Sequence, residues 1–314
     1  MAAGIGSGAA RPTRVIVSLG IAMGCLGACA APRTTASPLP HPVGAAFDVS
    51  LGYTIDTVRV VSGGNERRTD VLGNVDVLLN ADLEPWLGLD DTEAFVYLLG
   101  NHGGKPSEAV GDLQATDNIE APESVRVFEA WLQRHWADQQ LSVLAGLYDV
   151  NSEFDAIQSA SLFLHSSHGI GAELGTSGRN GPSIFPVTSL AARLEVRPTD
   201  ATYVRTVVAD GVPGDPRHPK RTTVRFDDGD GVFVAAELGV FDLPAPELRR
   251  RARTESDLPG EQRYGDFGRF GFGAWGYTGE FEDFVRTDGM GNPVQRTGSF
   301  VSYAFFEKRV LYEP

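Results

Sequence analysis

Segment after segment of this chain, each roughly ten residues long, alternates apolar and polar side chains with a period of two, the repeat of a β-strand that shows different chemistry on its two faces. Between Asp70 and Leu83, Val71, Gly73, Val75, Val77, Leu79, Ala81 and Leu83 share one side, and Asp70, Asn74, Asp76, Asn80 and Asp82 take the other. Before it, Phe47, Val49, Leu51, Tyr53 and Ile55 alternate up to a turn at Ser62-Gly63-Gly64-Asn65. Glu93 to Gly100 is a third candidate strand. In Ser124 to Trp136, Phe128, Ala130 and Leu132 oppose Glu129, Trp131 and Gln133, and Leu141 to Tyr148 is more evenly apolar. The pattern is clearest further on. Leu190, Ala192, Leu194 and Val196 oppose Arg193, Glu195 and Arg197; Thr202, Val204, Thr206 and Val208 oppose Tyr203 and Arg205; Val232, Val234, Ala236, Leu238 and Val240 oppose Glu237. Phe267 to Gly279 and Ser299 to Lys308, rich in Phe, Tyr and Gly, complete the set.

The breaks in the pattern are as informative as the pattern. Gly100 to Asp117 reads as a loop carrying Gly and Asp, Gly211 to Lys220 as a second, and Glu247 to Arg263 as an Arg-rich third. Asn151 to Pro186 has no strand periodicity and many Ser, Gly and His residues. A loop that long inside a compact domain is usually functional or a lid, and in a barrel such a loop can fold inward.

The N-terminus changes the meaning of the strands. Arg11 and Arg14 precede a short apolar run from Val15 to Ala31, and Ala28-Cys29-Ala30 places small residues where a signal peptidase cuts. Residues 1–30 therefore read as an export signal and 31–44 as a flexible leader. Leu26-Gly27-Ala28-Cys29 also resembles a lipobox that would acylate Cys29, but Gly27 suits it less well, so cleavage near Ala30 is favoured. Cys25 and Cys29 are the only cysteines, so a chain cut at Ala30 has no disulfide and no thiolate metal site. No run of 18 apolar residues follows Ala31, which excludes helical spans and leaves a barrel as the only way to cross a membrane. The net charge of −14 argues against nucleic acid as a partner and suits polar loops. Carboxylates on outer loops could hold divalent cations at a lipopolysaccharide surface.

A soluble β-sandwich also alternates, but about ten such segments behind an export signal, joined by loops of unequal length, favour an all-β transmembrane antiparallel barrel over residues 45–314. Several strings sharpen this: GDLQATDNIEAPESVRVFEAW at 111–131, LSVLAGLYDVNSEF at 141–154, VVADGVPGDP at 207–216, DGVFVAAELG at 230–239 and FGAWGYTGEF at 272–281. In their order and spacing they resemble the carbohydrate-selective porin (OprB) family of Gram-negative outer membranes. The resemblance implies a sixteen-stranded barrel that passes glucose and similar sugars by facilitated diffusion, with inward-folding segments narrowing the pore. The chain departs from that pattern at its C-terminus. About ten or eleven strands are countable, and Val310-Leu311-Tyr312-Glu313-Pro314 carries no terminal aromatic residue, so the expectation is a family member missing its C-terminal part.

A sugar-selective lumen needs carboxylates and guanidinium groups for hydroxyls and an aromatic platform for the ring. The alternation directs Glu129, Trp131, Arg193, Glu195, Arg197, Arg205 and Glu237 inward as candidate sugar contacts, with no cofactor, no metal and no catalytic residue. Trp131 could equally face lipid, and Trp275 and Tyr277 are expected in an interfacial girdle or rim. The expected partners are monosaccharides such as glucose and the lipid and lipopolysaccharide around the barrel; a homo-oligomer is compatible with the sequence. Asp227-Asp228-Gly229-Asp230-Gly231 begins like a calcium loop, but its twelfth position is Leu238, so it reads as a turn. Gly100 to Lys105 lacks phosphate-loop spacing and reads as a hairpin loop. His165-Ser166-Ser167-His168 keeps open a barrel hydrolase with a His base, and an exported glycan-binding sandwich is the other alternative.

Overall fold

The structure is a computed structural model describing residues 19–23, 47–242 and 268–308. The leader expected at 31–44, the Arg-rich loop expected at Glu247 to Arg263 and the last five residues lie outside these. Eleven strands hydrogen-bond in sequence order into one sheet. They are β1 (Leu19–Met23), β2 (Phe47–Arg59), β3 (Thr69–Asp82), β4 (Thr92–Gly103), β5 (Ser124–Trp136), β6 (Leu141–Tyr148), β7 (Ser189–Thr199), β8 (Thr202–Asp210), β9 (Val232–Phe241), β10 (Gly268–Thr287) and β11 (Pro293–Lys308). Every pairing from β2 to β11 is antiparallel. β1, from within the segment read as an export signal, lies parallel to β2 along its free edge. Among the described residues the sheet is open, with β10 as the one partner of β11. β7, β8 and β9, at 11, 9 and 10 residues, have the length a tilted strand needs to cross a bilayer.

Burial along these strands is inverted relative to a soluble protein. Leu194, Val204, Leu238 and Phe270 are 42–47% exposed on the outer face, while Arg193, Glu195, Arg205, Glu237 and Arg269 on the inner face are nearly inaccessible. An exposed apolar face this continuous needs lipid or a partner to cover it. The sequence pattern assigned these faces correctly on β7, β8 and β9.

Connections at 83–91, 137–140 and 200–201 lie at one end of the sheet, and those at 60–68, 104–123, 149–188, 211–231 and 288–292 at the other, which carries the three longest among the described residues, 104–123, 149–188 and 211–231. In outer-membrane barrels the long loops face outward. The first long loop begins later than expected: Gly100 to Gly103 stay in β4 and pair with Val75 to Leu72 on β3, and a helical turn, α1 (Pro106–Val110), follows. Those glycines continue the strand instead of ending it.

A second correction concerns Phe128. Tyr97 on β4 pairs with Glu129 and Leu98 pairs with Val127, so Phe128 is a bulge residue without a partner. A bulge shifts the alternation by one, which turns both Phe128 and Glu129 inward. β6 pairs with β5 only over Ala130 to Trp136, so the outer end of β5 has lost that neighbour. Side chains replace the missing strand. Thr222 Oγ1 accepts from Val127 N at 2.8 Å and donates to Val127 O, Thr188 Oγ1 donates to Phe128 O, and Arg126 donates to the carbonyls of Pro186 and Pro219. Each backbone group left open in a barrel wall would otherwise cost several kcal/mol in lipid.

Candidate functional site

The inner wall is built on one hydrogen-bonded row. Ser142, Glu195, Arg205, Glu237, Gly273 and Tyr303 are successive partners across β6 to β11, so Glu, Arg and Glu alternate in sign along it. Cross-strand placement of opposite charges stabilises the sheet. Arg205 Nη2 lies 3.2 Å from Glu195 Oε2, and Arg197 Nε lies 2.7 Å from Glu195 Oε1. The Arg205 guanidinium also sits 4.0 Å above the Tyr203 ring.

Glu237 shows how the local sequence makes the site. Tyr203 is the register partner of Gly239, and Tyr303 that of Gly273. Each ring lies across its glycine; a Cβ at Gly239 would fall 2.2 Å from the Tyr203 ring, and one at Gly273 2.4 Å from Tyr303. The missing side chains let both rings lie flat toward Glu237. Tyr203 donates to its Oε1 and Tyr303 to its Oε2, each at 2.7 Å.

The third contact of Glu237 comes from the long loop. Asp155 N donates to Glu237 Oε2 at 3.0 Å. The loop runs inside the wall, as its length and lack of periodicity implied, and forms 3-10 turns at Val150–Ser152, Gln158–Leu162 and Ser166–His168 and one helical turn, α2 (Ala172–Gly175). Val150, Phe154, Ile170 and Leu174 bury themselves against inner-wall residues that include Trp131, Leu144, Phe233 and Trp275. Each such side chain contributes ~1.5–3 kcal/mol when fully buried. Polar groups fix its position. Arg193 Nε meets Glu153 Oε2 at 2.8 Å while its other nitrogens reach Ser142 and Gln133. Arg205 donates to Glu153 O at 3.1 Å, Arg269 to Ala156 O, and Ser159 N to Glu307 Oε1 at 2.8 Å.

Of the seven expected contacts, Arg193, Glu195, Arg197, Arg205 and Glu237 thus form one connected group, four of them buried beneath or beside the loop. Glu129 and Trp131 lie on the other side of Arg193. There Trp131 packs 4.9 Å from Phe95 and donates from Nε1 to Glu129 Oε1 at 3.3 Å, so it faces inward and not lipid. Trp275 and Tyr277 are likewise interior, at 2% and 4% exposed, around Phe233. They overturn the expectation of a girdle: Trp275 and Tyr277 share the inner face, with Gly276 between them on the other, so register, not ring type, decides the side. Glu153, Asp155, Tyr303, Arg269 and Glu307 were not singled out from the sequence. The glycine-aromatic alternation in 270–277 and the inward period of 303, 305 and 307 were the signals available for the last three.

The remaining motifs resolve as loop structure. Asp230 Oδ2 accepts from Asp227 N, closing the 227–231 turn, and its Oδ1 holds Arg179 at 3.2 Å. His165 Nδ1 lies 2.7 Å from Ser167 Oγ and His168 stacks on Phe163. Neither imidazole has a carboxylate partner among the described residues, so nothing orients a base.

An apolar outer face, a charged inner row and a loop folded onto it thus occur together on one antiparallel sheet. The profile of the carbohydrate-selective porin, OprB family matches residues 66–310. The chain belongs to that family. OprB porins are β-barrels of the outer membrane, and this protein is an outer-membrane member of that channel family whose described strands form an open antiparallel sheet of the same fold. The high-pH structure of Pseudomonas putida OprB superposes with a TM-score of 0.63 at 15% identity, covering 82% of this chain and 60% of that one. The low-pH structure of the same porin gives 0.39 at 13% identity, covering 83% and 67%. No curated protein matches the chain. The chain therefore spans about 60% of the length of the solved porin to which its fold is similar.

Proposed function

We propose that this protein is a passive, carbohydrate-selective diffusion channel for glucose and similar sugars, working without a cofactor. The observation that carries this reading is the loop at 149–188, fixed by the charged row against the inner face of the wall. It sets hydroxyl-binding groups and aromatic rings side by side on that face. Transport of this kind needs contacts that replace water on the sugar yet remain weak enough to release it.

Within that reading the seven inward residues divide by task. Arg193, Glu195, Arg205 and Glu237 act chiefly through the loop they hold, and Arg197 and Glu129 contact sugar directly. Trp131 orients the Glu129 carboxylate. Residues 1–30 serve as the export signal, and their removal frees the β2 edge that β1 covers. The outer apolar face meets lipid and lipopolysaccharide, and a second copy of the chain is the further candidate for it.

Liposome swelling tests the reading. Vesicles reconstituted with the full chain are expected to swell faster in glucose than in amino acids of similar size. Equal rates for both would remove the selectivity, and no swelling would remove the channel.

A further inference from the structure

The 211–231 loop leaves β8 and, before entering β9, returns to the outer end of β5, where β6 no longer pairs. Two side chains seat it there. Thr222 Oγ1 accepts from Val127 N at 2.8 Å and donates to Val127 O at 3.0 Å, and Arg126 Nη2 donates to Pro219 O at 2.7 Å. Residues 216–226 thus take the place of a missing strand at the long-loop end, the end that faces outward in outer-membrane barrels.

This segment reverses the charge of the chain around it. It carries Arg217, Lys220, Arg221 and Arg225 and no Asp or Glu, in a chain of net charge −14. Two of these four cations are used inside the loop. The buried Asp215 carboxylate holds Arg217 Nε at 3.2 Å, His218 Nδ1 at 2.9 Å and Arg225 Nη1 at 3.4 Å, and Arg225 Nη2 also reaches Asp227 Oδ2 at 2.5 Å. Arg217 N donates to the same Asp215 carboxylate at 3.0 Å, and His218 N to Asp215 O at 2.8 Å, so the turn is knotted around one residue. Lys220 and Arg221 stand just past the knot, exposed, and have no carboxylate partner among the described residues.

Apolar side chains lie open on the same stretch of wall. Val224 and Phe226 are 50% and 66% exposed, and Val125, two residues along β5 from the Val127 that Thr222 holds, is 84% exposed. Unpaired cations call for an anion, for which a guanidinium and an ammonium together suit phosphate. Exposed Val and Phe call for an acyl chain. A phosphorylated glycolipid carries both groups in one molecule, with its phosphates at the boundary between headgroup and hydrocarbon.

We propose that residues 216–226, with Val125, form a binding surface for the lipid A end of lipopolysaccharide on the outside of the wall. Lys220 and Arg221 take its phosphates, and Val125, Val224 and Phe226 lie along an acyl chain. The lipid completes the wall where the loop stands in for a strand. This rests on the reading that the outer face meets lipopolysaccharide and gives that contact a place; it requires nothing of the solute in the pore.

The test is a titration of the full chain in neutral detergent with lipid A, dephosphorylated lipid A and phosphatidylglycerol, with bound lipid counted by native mass spectrometry. Lipid A is expected to bind about thirtyfold more tightly than its dephosphorylated form, the ratio that two surface cations give beside an anionic headgroup. Replacing both cations, Lys220→Gln with Arg221→Gln, is expected to remove that ratio. Both side chains are exposed and unpaired, so the fold is expected to survive. Phe226→Ser is expected to weaken both forms of lipid A alike, about fivefold, and decides the matter if the double variant does not fold. Equal binding of the two forms, phosphatidylglycerol binding as tightly as lipid A, or wild-type affinities in both variants overturns the site. Liposome swelling separates this claim from the channel reading. Wild-type vesicles that do not discriminate sugars remove the channel reading and leave the lipid site standing, whereas sugar-selective swelling with lipid binding unaltered in the variants removes the lipid site alone.

Discussion

On the wall from β7 to β11 every charged side chain of the central group faces a partner. Arg193 holds Glu153, Glu195 lies between Arg197 and Arg205, Glu237 receives two phenols and a backbone amide, and Arg269 sits 3.6 Å from Glu307. On the β4–β5 wall Glu129 is as deeply enclosed, yet its two donors, the Asp149 amide and the Trp131 indole, both meet Oε1 and neither ties it to another charged side chain. Residue type is the same on both walls. What separates them is whether the protein supplies the complement itself. Where it does, the charge fixes a loop; at Glu129 the two donors come from the wall itself and from the first residue of the loop.

The first way to break this comparison is at Glu237. Glu237→Ala removes the acceptor for Tyr203, Tyr303 and Asp155 N at once and leaves their donors enclosed, at an expected cost of ~3–5 kcal/mol. The expected outcome is a 149–188 segment that proteinase K cuts readily in folded vesicle-bound protein, together with a larger and less sugar-selective conductance. A segment as resistant as in wild type would mean that its apolar anchors alone hold it. The outer face provides the next largest effect. Val204 and Leu238 are register partners facing outward, one residue along from the inward Arg205 and Glu237. Leu238→Arg is expected to destabilise the lipid-inserted fold by ~2–4 kcal/mol in equilibrium refolding into vesicles. Little change there would place water, not lipid, against that face.

How much of this was legible in the residues follows from what periodicity can carry. The alternation in 189–241 gave strand limits within two or three residues and the correct side for Arg193, Glu195, Arg205 and Glu237, because a period-two pattern fixes a face once one member is known. It failed at Phe128, where a bulge breaks the count, and at Trp275 and Tyr277, where ring chemistry suits lipid headgroups and interior equally. The inward course of 149–188 was readable from its length, but its anchors were not. Glu153 and Asp155 reach Arg193 and Glu237 from 40 and 82 residues away, contacts that no local pattern encodes.

Asp155 adds a pH-dependent edge to the same comparison. Its Oδ2 accepts from Gly171 N at 3.0 Å, but burial, reinforced by the carboxylates of Glu173 and Glu237, pushes its carboxyl up to about 6. A value above the ordinary one means the docked loop favours the protonated acid. The contribution is complete below about pH 4 and is lost as pH rises through about 6, and it amounts to about 3 kcal/mol at most. Protease protection of the loop is therefore expected to be greater at pH 5 than at pH 7.5, and Asp155→Asn is expected to flatten that difference. Protection that grows with pH would contradict the sign.

The smallest effect belongs to Arg197, at the rim of the charged row. Its side chain is 30% exposed and its single carboxylate partner, Glu195, also has Arg205. Arg197→Ala leaves no enclosed charge without a counterpart, so stability is expected to fall by less than ~1 kcal/mol, the range of exposed ion pairs. The pore should respond where the fold does not, because removing a cation from a passage otherwise balanced by Glu195 makes the local field more negative. A reversal potential measured across a KCl gradient is expected to shift toward cation selectivity, while protease protection of the 149–188 segment stays as in wild type. A loss of more than ~2 kcal/mol would instead make Arg197 part of the structural row. The division between charges that hold the loop and charges that meet the solute would then have to be drawn one residue nearer the short-turn end of β7.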